Sequence, residues 1–251
     1  MPRQIRRIHM LAFGTSLAIL AACNDPLPAP EGTASSSSSS ASDEDLDSRR
    51  GSTIAFADLR LTLEFNSTDN DLGVQLNLDA QDWEHVTAFD PGHQQIFDVS
   101  GQGRLKQLGL TELFFETAEP TPAEVLALFP QGNYRFTGNT VDGDVLAGSA
   151  RLSHALPAAP VFISPTNGQI VPRNNLIIRW QPISGLARFQ LIVENDESGE
   201  TLIVDLLPSV TSLPIPSAFL QPNTPHKAEV LAIGKNGNKT LSEITFMTGG
   251  T

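Results

Sequence analysis

The chain has 251 residues, of which 40% are hydrophobic, and its 16 Lys and Arg residues against 28 Asp and Glu residues give it a net charge of −12. An acidic surface repels phosphate groups, which argues against nucleic acid and anionic lipid as partners. Cys23 is the only cysteine, so no disulfide within the chain can stabilise the fold.

The amino-terminal segment has the pattern of an export signal. Arg3, Arg6 and Arg7 form a positively charged start, and a mostly apolar stretch covers residues 8–22. This stretch is too short to cross a bilayer comfortably as a helix, which needs about 20 apolar residues. A charged start, a short apolar middle and small residues before a break predict a segment that is removed on export, so we exclude it from the predicted fold.

The run Leu20-Ala21-Ala22-Cys23 resembles the lipobox of bacterial lipoproteins, in which an aliphatic residue and two small residues precede a cysteine. The resemblance implies a diacylglycerol on the Cys23 sulfur, cleavage before this residue and acylation of the new amino terminus. Two or more acyl chains hold a protein firmly to a membrane, whereas one chain binds only marginally. Since Asn24 and not aspartate follows, the resemblance also implies transport to the outer membrane, on its periplasmic or its surface side. A plain secretory signal with an incidental cysteine is the alternative.

Residues 23–52 are predicted to form a disordered tether. They contain Pro26, Pro28 and Pro30, a run of six serines at residues 35–40, and the acidic stretch SDEDLD. Almost nothing here can be buried, so ordering the segment would cost backbone entropy without compensating contacts. Its root-mean-square reach is about 30 Å. Removal of the three signal-peptide arginines leaves 13 basic residues against 28 acidic ones, a net charge of −15.

Residues 53–156 are predicted to form a first β-domain. Apolar residues alternate with polar ones over residues 59–65 and 74–78, a period typical of half-buried strands. One short helix interrupts the strands, because Thr121 and Glu124 form a capping box and a proline occupies the first helical position.

The sequence VDGDV at residues 141–145 predicts a hairpin turn within this domain. A two-residue Asp-Gly turn would place Phe136 opposite Ser149. A three-residue loop ending at a left-handed Asp144 would instead place Phe136 opposite Ala150. Register follows the buried face of a strand, so the three-residue loop is the expectation.

Residues 157–251 are predicted to form a second β-domain, and prolines at positions 157, 160 and 165 mark the boundary before it. A strand ends in Trp180, and LQPNTPHKAEVLAIG follows at residues 220–234. Both features resemble a fibronectin type III domain, with its core tryptophan and its Leu-x-Pro-x-Thr-x-Tyr-x-x-x-Val-x-Ala segment. His226 stands where that family has a tyrosine whose hydroxyl hydrogen-bonds back to the chain.

The fibronectin type III resemblance implies a sandwich of two sheets and seven strands, with Trp180 and His226 as markers of its core. Together with the alternation in the first domain, it predicts an all-β fold. We expect two antiparallel β-sandwich-like domains in tandem, the first with one short helix.

Asn66, Asp69 and Asp71 are the first candidate ligand set. Their side-chain oxygens are closely spaced along the chain, and Gly73 permits a tight turn beside them. Ca²⁺ takes six to eight such oxygens, so calcium is the ion that this set would bind. The spacing departs from that of an EF-hand loop. A plain acidic loop between two strands is the alternative, since Asn, Asp and Gly are the usual turn residues.

A second cluster combines two imidazoles with three carboxylates: Asp82, His85, Asp90, His93 and Asp98. Such groups could bind Zn²⁺, although no HExxH motif fixes their geometry. Scattered surface polar residues are the alternative explanation. Trp83 and Tyr134 could offer a surface on which sugars stack, but Trp83 is more readily explained as a packing residue.

Familiar catalytic motifs are missing from the sequence. It contains no G-x-S-x-G elbow, no phosphate-binding loop, no dinucleotide-binding glycine pattern and no cysteine pair. The glycine-rich stretch GQGRLKQLG at residues 101–109 is interpreted as a turn. We therefore expect a non-catalytic module that binds an envelope protein or a polysaccharide. The alternative is a metal-dependent hydrolase of envelope polymers, using Asp69, Asp71 or the 82–98 cluster, or a carbohydrate-binding accessory protein.

Overall fold

A computed structural model describes residues 51–250; Cys23, the predicted export signal and most of the predicted tether lie outside them. The described residues form fifteen strands and two short helices, α1 (Arg104–Leu108) and α2 (Pro122–Leu128). The all-β fold class is confirmed. No helix within residues 51–250 is long and apolar enough to cross a membrane.

The strands are β1 (Thr53–Ala55), β2 (Asp58–Asn66), β3 (Asp71–Phe89), β4 (Gln95–Ser100), β5 (Leu110–Glu116), β6 (Gly132–Thr140), β7 (Val145–Leu152), β8 (Phe162–Ser164), β9 (Gln169–Val171), β10 (Ile177–Trp180), β11 (Leu186–Asn195), β12 (Thr201–Leu206), β13 (Ser212–Pro214), β14 (Pro225–Gly234) and β15 (Lys239–Thr248).

The first half of the fold is organised around β3, a strand of 19 residues. Its first part pairs with β2 and β5, and its second part pairs with β6 and β4. β7 extends the sheet beyond β6 and packs back on the start of β2. A Cβ at Gly148 would lie 2.7 Å from the Phe56 ring and 3.2 Å from the Leu59 side chain, so only glycine allows this approach. The enclosed core includes Leu61, Leu63, Leu76, Leu78, Trp83, Tyr134, Phe136 and Leu146.

The second half is a two-layer sandwich. One layer has the strand order β12-β11-β14-β15 and the other has the order β13-β10-β8. β9 adds to the edge of the first layer by pairing with β15. Trp180 on β10 is buried and meets Phe189 edge to face, with ring centroids 5.6 Å apart. The seven sandwich strands and the buried tryptophan agree with the arrangement that the fibronectin type III resemblance implies.

The two halves share one sheet. The start of β15 runs parallel to the end of β2, with Lys239 opposite Glu64 and Leu241 opposite Asn66. This pairing joins strands of both halves into a sheet of 12 strands. The main hydrophobic cores remain separate, because one is built from side chains no later than Leu156 and the other begins at Phe162.

Asn238, in the turn between β14 and β15, fastens this turn to the first half. Its buried side chain accepts a hydrogen bond from the Leu63 N–H at 3.0 Å. Its amide nitrogen donates to the carbonyl oxygens of Ser153 at 2.7 Å and Ala155 at 3.0 Å. One amide side chain therefore satisfies backbone groups of β2 and of the segment that links the two halves.

Helix α2 forms where the capping box predicts it. The Thr121 N–H donates to the Glu124 carboxylate at 3.0 Å, and Val125 is buried against the first core. Helix α1 corrects the interpretation of residues 101–109 as a turn, because Arg104–Leu108 within this stretch form a short helix. Gly103 (φ 55°) and Gly109 (φ 74°) flank it with left-handed backbone that other residues rarely adopt.

The hairpin between β6 and β7 also differs from the expectation. Phe136 lies opposite Gly148, so the loop has four residues and the register is shifted. The Thr140 hydroxyl accepts the Asp144 N–H at 3.0 Å, which stabilises the longer loop. Gly143 (φ 90°), and not Asp144, takes the left-handed conformation. The shift amounts to an even number of residues, so the same side chains still point inward.

Candidate functional site

Asn66, Asp69 and Asp71 lie where β2 turns into β3. Asn66 is fully buried, and its Oδ1 accepts the Thr68 N–H at 2.9 Å. Its Nδ2 donates to Asp69 Oδ2 at 3.0 Å. Asn66 thus organises the turn with the same side chain that is a candidate calcium ligand. A cation bound through Asn66 would have to compete with these hydrogen bonds, and calcium stays a prediction.

This turn also packs on the second half of the fold. The Ser67 hydroxyl donates to the Leu241 carbonyl oxygen at 2.7 Å, and the Glu243 N–H donates to the Thr68 hydroxyl at 2.9 Å. The predicted ligands therefore lie at the seam between the two halves.

Three glutamates that the sequence patterns did not single out meet beside this turn. Glu64 on β2, Glu116 on β5 and Glu119 each place a carboxylate oxygen within 4.8 Å of the others. Within residues 51–250, it is the only group of three or more His, Cys, Asp or Glu ligand atoms as close as this. Gly73 leaves room for them, since a Cβ there would lie 3.2 Å from Glu119. The cluster depends on β3 pairing with both β2 and β5, and no short motif signals that pairing.

Lys239 and Gln75 join these carboxylates into a network. The Lys239 ammonium lies 3.0 Å from Glu64 Oε2 and also donates to Gln75 Oε1. The Gln75 amide donates to Glu64 at 2.9 Å and to Glu116 at 2.8 Å. Because Lys239 begins β15, the network fastens the two halves together. It could hold a divalent cation only in competition with the ammonium already present.

The second predicted cluster is brought together only in part. His85 Nε2 lies 2.9 Å from Asp98 Oδ1 and 3.2 Å from the Thr87 hydroxyl. Asp90 instead accepts the Gln94 N–H at 2.8 Å in the turn before β4, and His93 (φ 65°) belongs to the same turn. The structure therefore pairs one imidazole with one carboxylate and does not assemble all five residues around a common point.

A polar depression of about 330 Å³ lies beside the His85–Asp98 pair. It is bounded by β3, β4, α1 and β6, and most of its lining side chains are exposed. They are Glu84, His85, Ser100, Gln102, Lys106 and Asn139, together with the backbone of Gly101.

Trp83 and Tyr134 do not form an exposed aromatic surface. Both are fully buried in the first core. The Tyr134 hydroxyl donates to the Pro130 carbonyl oxygen at 2.9 Å. Burial, assisted by the negative charge of Asp90, raises the pKa of Tyr134 to about 12. Both residues therefore serve packing, and sugar stacking on them is excluded.

His226 is fully buried in the sandwich core, opposite the end of β15. Its Nδ1 lies 3.0 Å from the Thr224 carbonyl oxygen and must carry the proton that this hydrogen bond needs. The ring stacks on Phe246 with centroids 5.3 Å apart and planes 7° apart. Burial lowers the pKa of His226, so the neutral imidazole takes over the hydrogen bond to the backbone that the resemblance assigns to a tyrosine.

No protein-family model matches the chain, and no curated protein matches it. Among solved structures, the FN1–FN3 domains of chicken CNTN1 match with 13% identity over 79% of this chain and 68% of that one, at a TM-score of 0.35. A segment of two fibronectin type III domains from chicken tenascin matches with 10% identity over 76% and 97%, at a TM-score of 0.29. These values are too low to bear on fold or function, so the fold assignment rests on the strand order and cores described above.

Proposed function

We propose that the chain is a lipid-anchored, non-catalytic interaction module of the bacterial envelope. The observation that carries the proposal is the shared sheet, in which the pairing of β15 with β2 holds two β-domains at a fixed spacing. A rigid platform binds an extended partner with less loss of conformational freedom than two independently moving domains. Its partner is an envelope protein or a polysaccharide.

The membrane anchor is supported by the residues before the described part of the chain. Leu20-Ala21-Ala22-Cys23 follows a charged and apolar leader, and about 30 tether residues separate the cysteine from β1. Such a tether reaches about 30 Å, so it would stand the platform clear of the lipid headgroups. Asn24 after the cysteine favours the outer membrane as its location.

Labelling with radioactive palmitate in the native host tests the anchor. We expect label in the wild-type protein and none in the Cys23→Ser variant, because this sulfur is the only thiol in the chain. The wild-type protein should float with the membranes, whereas the variant should be released on cell disruption. Equal labelling of both proteins would contradict the proposal.

Capture from detergent-solubilised membranes tests the interaction. Affinity-tagged wild-type protein should recover a specific envelope protein or glycan, identified by mass spectrometry against an unrelated tagged lipoprotein. If the anchor only concentrates the module at its partner, Cys23→Ser protein mixed with the same extract should recover that partner too. A wild-type sample without any specific companion would count against a binding function.

A metal-dependent function is the second candidate, favoured by the Glu64–Glu116–Glu119 carboxylates. Under this alternative, the purified protein contains a divalent cation, and a chelator lowers its melting temperature. Glu116→Gln should abolish the effect if the glutamates bind the ion, and Asp69→Asn if the β2–β3 turn does. We expect metal-free protein whose melting temperature is unchanged in chelator, because Lys239 already supplies a positive charge to the glutamates. Stoichiometric metal by elemental analysis, together with a lower melting temperature in chelator, would favour the alternative over the metal-free module.

A further inference from the structure

The depression beside His85 is built on three neighbouring strands. Ser100 on β4 and Asn139 on β6 both lie opposite His85 on β3. Val86, the next residue on β3, is fully buried, so these three side chains lie on the outer face of the sheet. Side chains on paired strands are separated by about 5 Å, which suits simultaneous contact with one small ligand.

A β-bulge adds a fourth group to this row. Trp83 lies opposite Thr140 and His85 lies opposite Asn139, so Glu84 is an extra residue with no counterpart on β6. Trp83 is buried, while both Glu84 and His85 are accessible. Bulges of this kind redirect side chains and are common beside functional sites. Here the bulge places a carboxylate and an imidazole from consecutive residues on the same face.

Helix α1 forms the wall of the depression, and two glycines bring it close to β3. A Cβ at Gly101 would lie 3.0 Å from the Lys106 backbone nitrogen, and a Cβ at Gly109 would lie 2.6 Å from Asp82 Cβ. The Gly101 N–H also donates to the Glu84 carbonyl oxygen at 2.9 Å. This close approach sets Gln102 and Lys106 beside the strand residues.

Several lining side chains are held in place by their neighbours. The His85 ring contacts both Asp98 and Thr87, and the Lys106 ammonium lies 3.5 Å from the Glu84 carboxylate. Groups that are already oriented lose less freedom when a ligand binds.

We propose that this depression binds the hydroxyl groups of a saccharide. Its lining mixes hydrogen-bond donors with acceptors, and a hydroxyl group both donates and accepts. An apolar ligand would leave these polar groups without water or partners. An anion would meet Glu84 and the nearby Asp98, and a cation would meet Lys106. A neutral polyhydroxylated ligand satisfies the whole set.

The shape of the depression indicates what kind of saccharide it accepts. Ser100, Gln102, Lys106 and Asn139 are exposed, so the ligand is not enclosed. About 330 Å³ accommodates one sugar unit, near the lower limit of small-molecule sites. The ligand is therefore one unit of a polysaccharide chain. This assignment rests on the proposed interaction function, and it makes the partner a polysaccharide and not a protein.

Saturation-transfer NMR on the exported full-length protein in detergent tests the proposal. The probes are glucose, galactose and N-acetylglucosamine with their trimers, and inorganic phosphate and lysine serve as contrasts. We expect transfer to one of the sugars. Asn139→Ala and Gln102→Ala should each weaken its binding about tenfold, the loss expected for one hydrogen-bonding group. Asn133→Ala, an exposed residue of the same strand, is the matched control and should bind like wild type.

Each outcome decides the proposal. Loss of sugar transfer in the two depression variants, but not in Asn133→Ala, supports it; Gln102 is exposed at the surface, so its variant keeps the test valid if Asn139→Ala unfolds. No transfer to any sugar, equal transfer in all variants, or transfer only to phosphate or lysine overturns it. If the sugars fail while membrane capture still recovers a specific protein, the interaction function stands and only the saccharide site is lost.

Discussion

At the scale of single residues, His226 illustrates how a polar side chain is accommodated in an apolar core. Its Nδ1–H is satisfied by the Thr224 carbonyl oxygen, and its face stacks on Phe246. Protonation would place a positive charge on a ring with no exposed surface. The acidic groups Asp196 and Glu197 favour the charged form, but burial outweighs them and lowers the pKa of His226.

A lowered pKa makes stability depend on pH in a definite direction. Below pH 6.5, the ordinary value, the unfolded chain binds a proton that the folded His226 does not. The free energy of unfolding therefore falls as the pH drops through that value towards the folded pKa. We expect the His226→Phe variant to lack this part of the acid sensitivity, because phenylalanine keeps the stack on Phe246 and does not titrate.

Urea unfolding of wild type and His226→Phe at about pH 7.5 and about pH 5 measures the difference. The loss of stability on acidification should be larger in the wild type. Asp196 has a pKa raised by burial and acts in the opposite sense. His226 lowers this pKa, so its replacement by phenylalanine raises the pKa of Asp196 further and reduces the acid sensitivity of the variant in the same direction. An identical acid response in the two proteins would mean that His226 does not carry the effect.

At the scale of elements, the sequence predicted a strand or helix correctly where the pattern that specifies it lies within a few neighbouring residues. The capping box at Thr121 located α2, and alternating apolar residues located β2 and the start of β3. The predicted β6–β7 register was wrong because the Thr140 hydroxyl accepts a hydrogen bond from the Asp144 N–H and so closes a longer loop. Turn preferences of the residue types do not include this side-chain hydrogen bond. Helix α1 escaped prediction because two glycines in a short polar stretch are also what a turn requires.

Among the candidate sites too, those built from residues close in sequence could be predicted and those built from distant strands could not. The turn at Asn66 could be located from the sequence, since its ligand types are closely spaced. The glutamate cluster and the polar depression could not, because each combines residues from strands that are distant in sequence. Their assembly depends on two features of β3: its pairing with different strands along its length and the bulge at Glu84. Alternation along a single strand reveals neither.

At the scale of the whole molecule, the shared sheet changes what two β-domains in tandem can do. Asn238 bonds to backbone groups of Leu63, Ser153 and Ala155, and Lys239 contacts Glu64 next to it. Unfolding either half would break these hydrogen bonds across the seam, at a net cost of about 0.5–1.5 kcal/mol for each. The seam should therefore make the two cores unfold together.

The two tryptophans allow this coupling to be measured, because Trp83 lies in the first core and Trp180 in the second. In Trp180→Phe protein the fluorescence reports the first half, and in Trp83→Phe protein it reports the second. We expect each single-tryptophan protein to give the same urea midpoint by fluorescence as by far-ultraviolet circular dichroism, which follows both halves. Coincident transitions of different probes are the mark of one cooperative unit.

Asn238→Ala should break this coincidence. The buried Leu63 N–H and Ser153 carbonyl lose their partner, so we expect about 3 kcal/mol of destabilisation at the seam and two separated transitions. Asn236→Ala is the matched control, because this exposed residue shares the Ala155 carbonyl with Asn238 and should change stability by less than about 1 kcal/mol. If the probes already disagree in proteins with an intact seam, the halves unfold independently and the rigid platform behind the proposed function is lost.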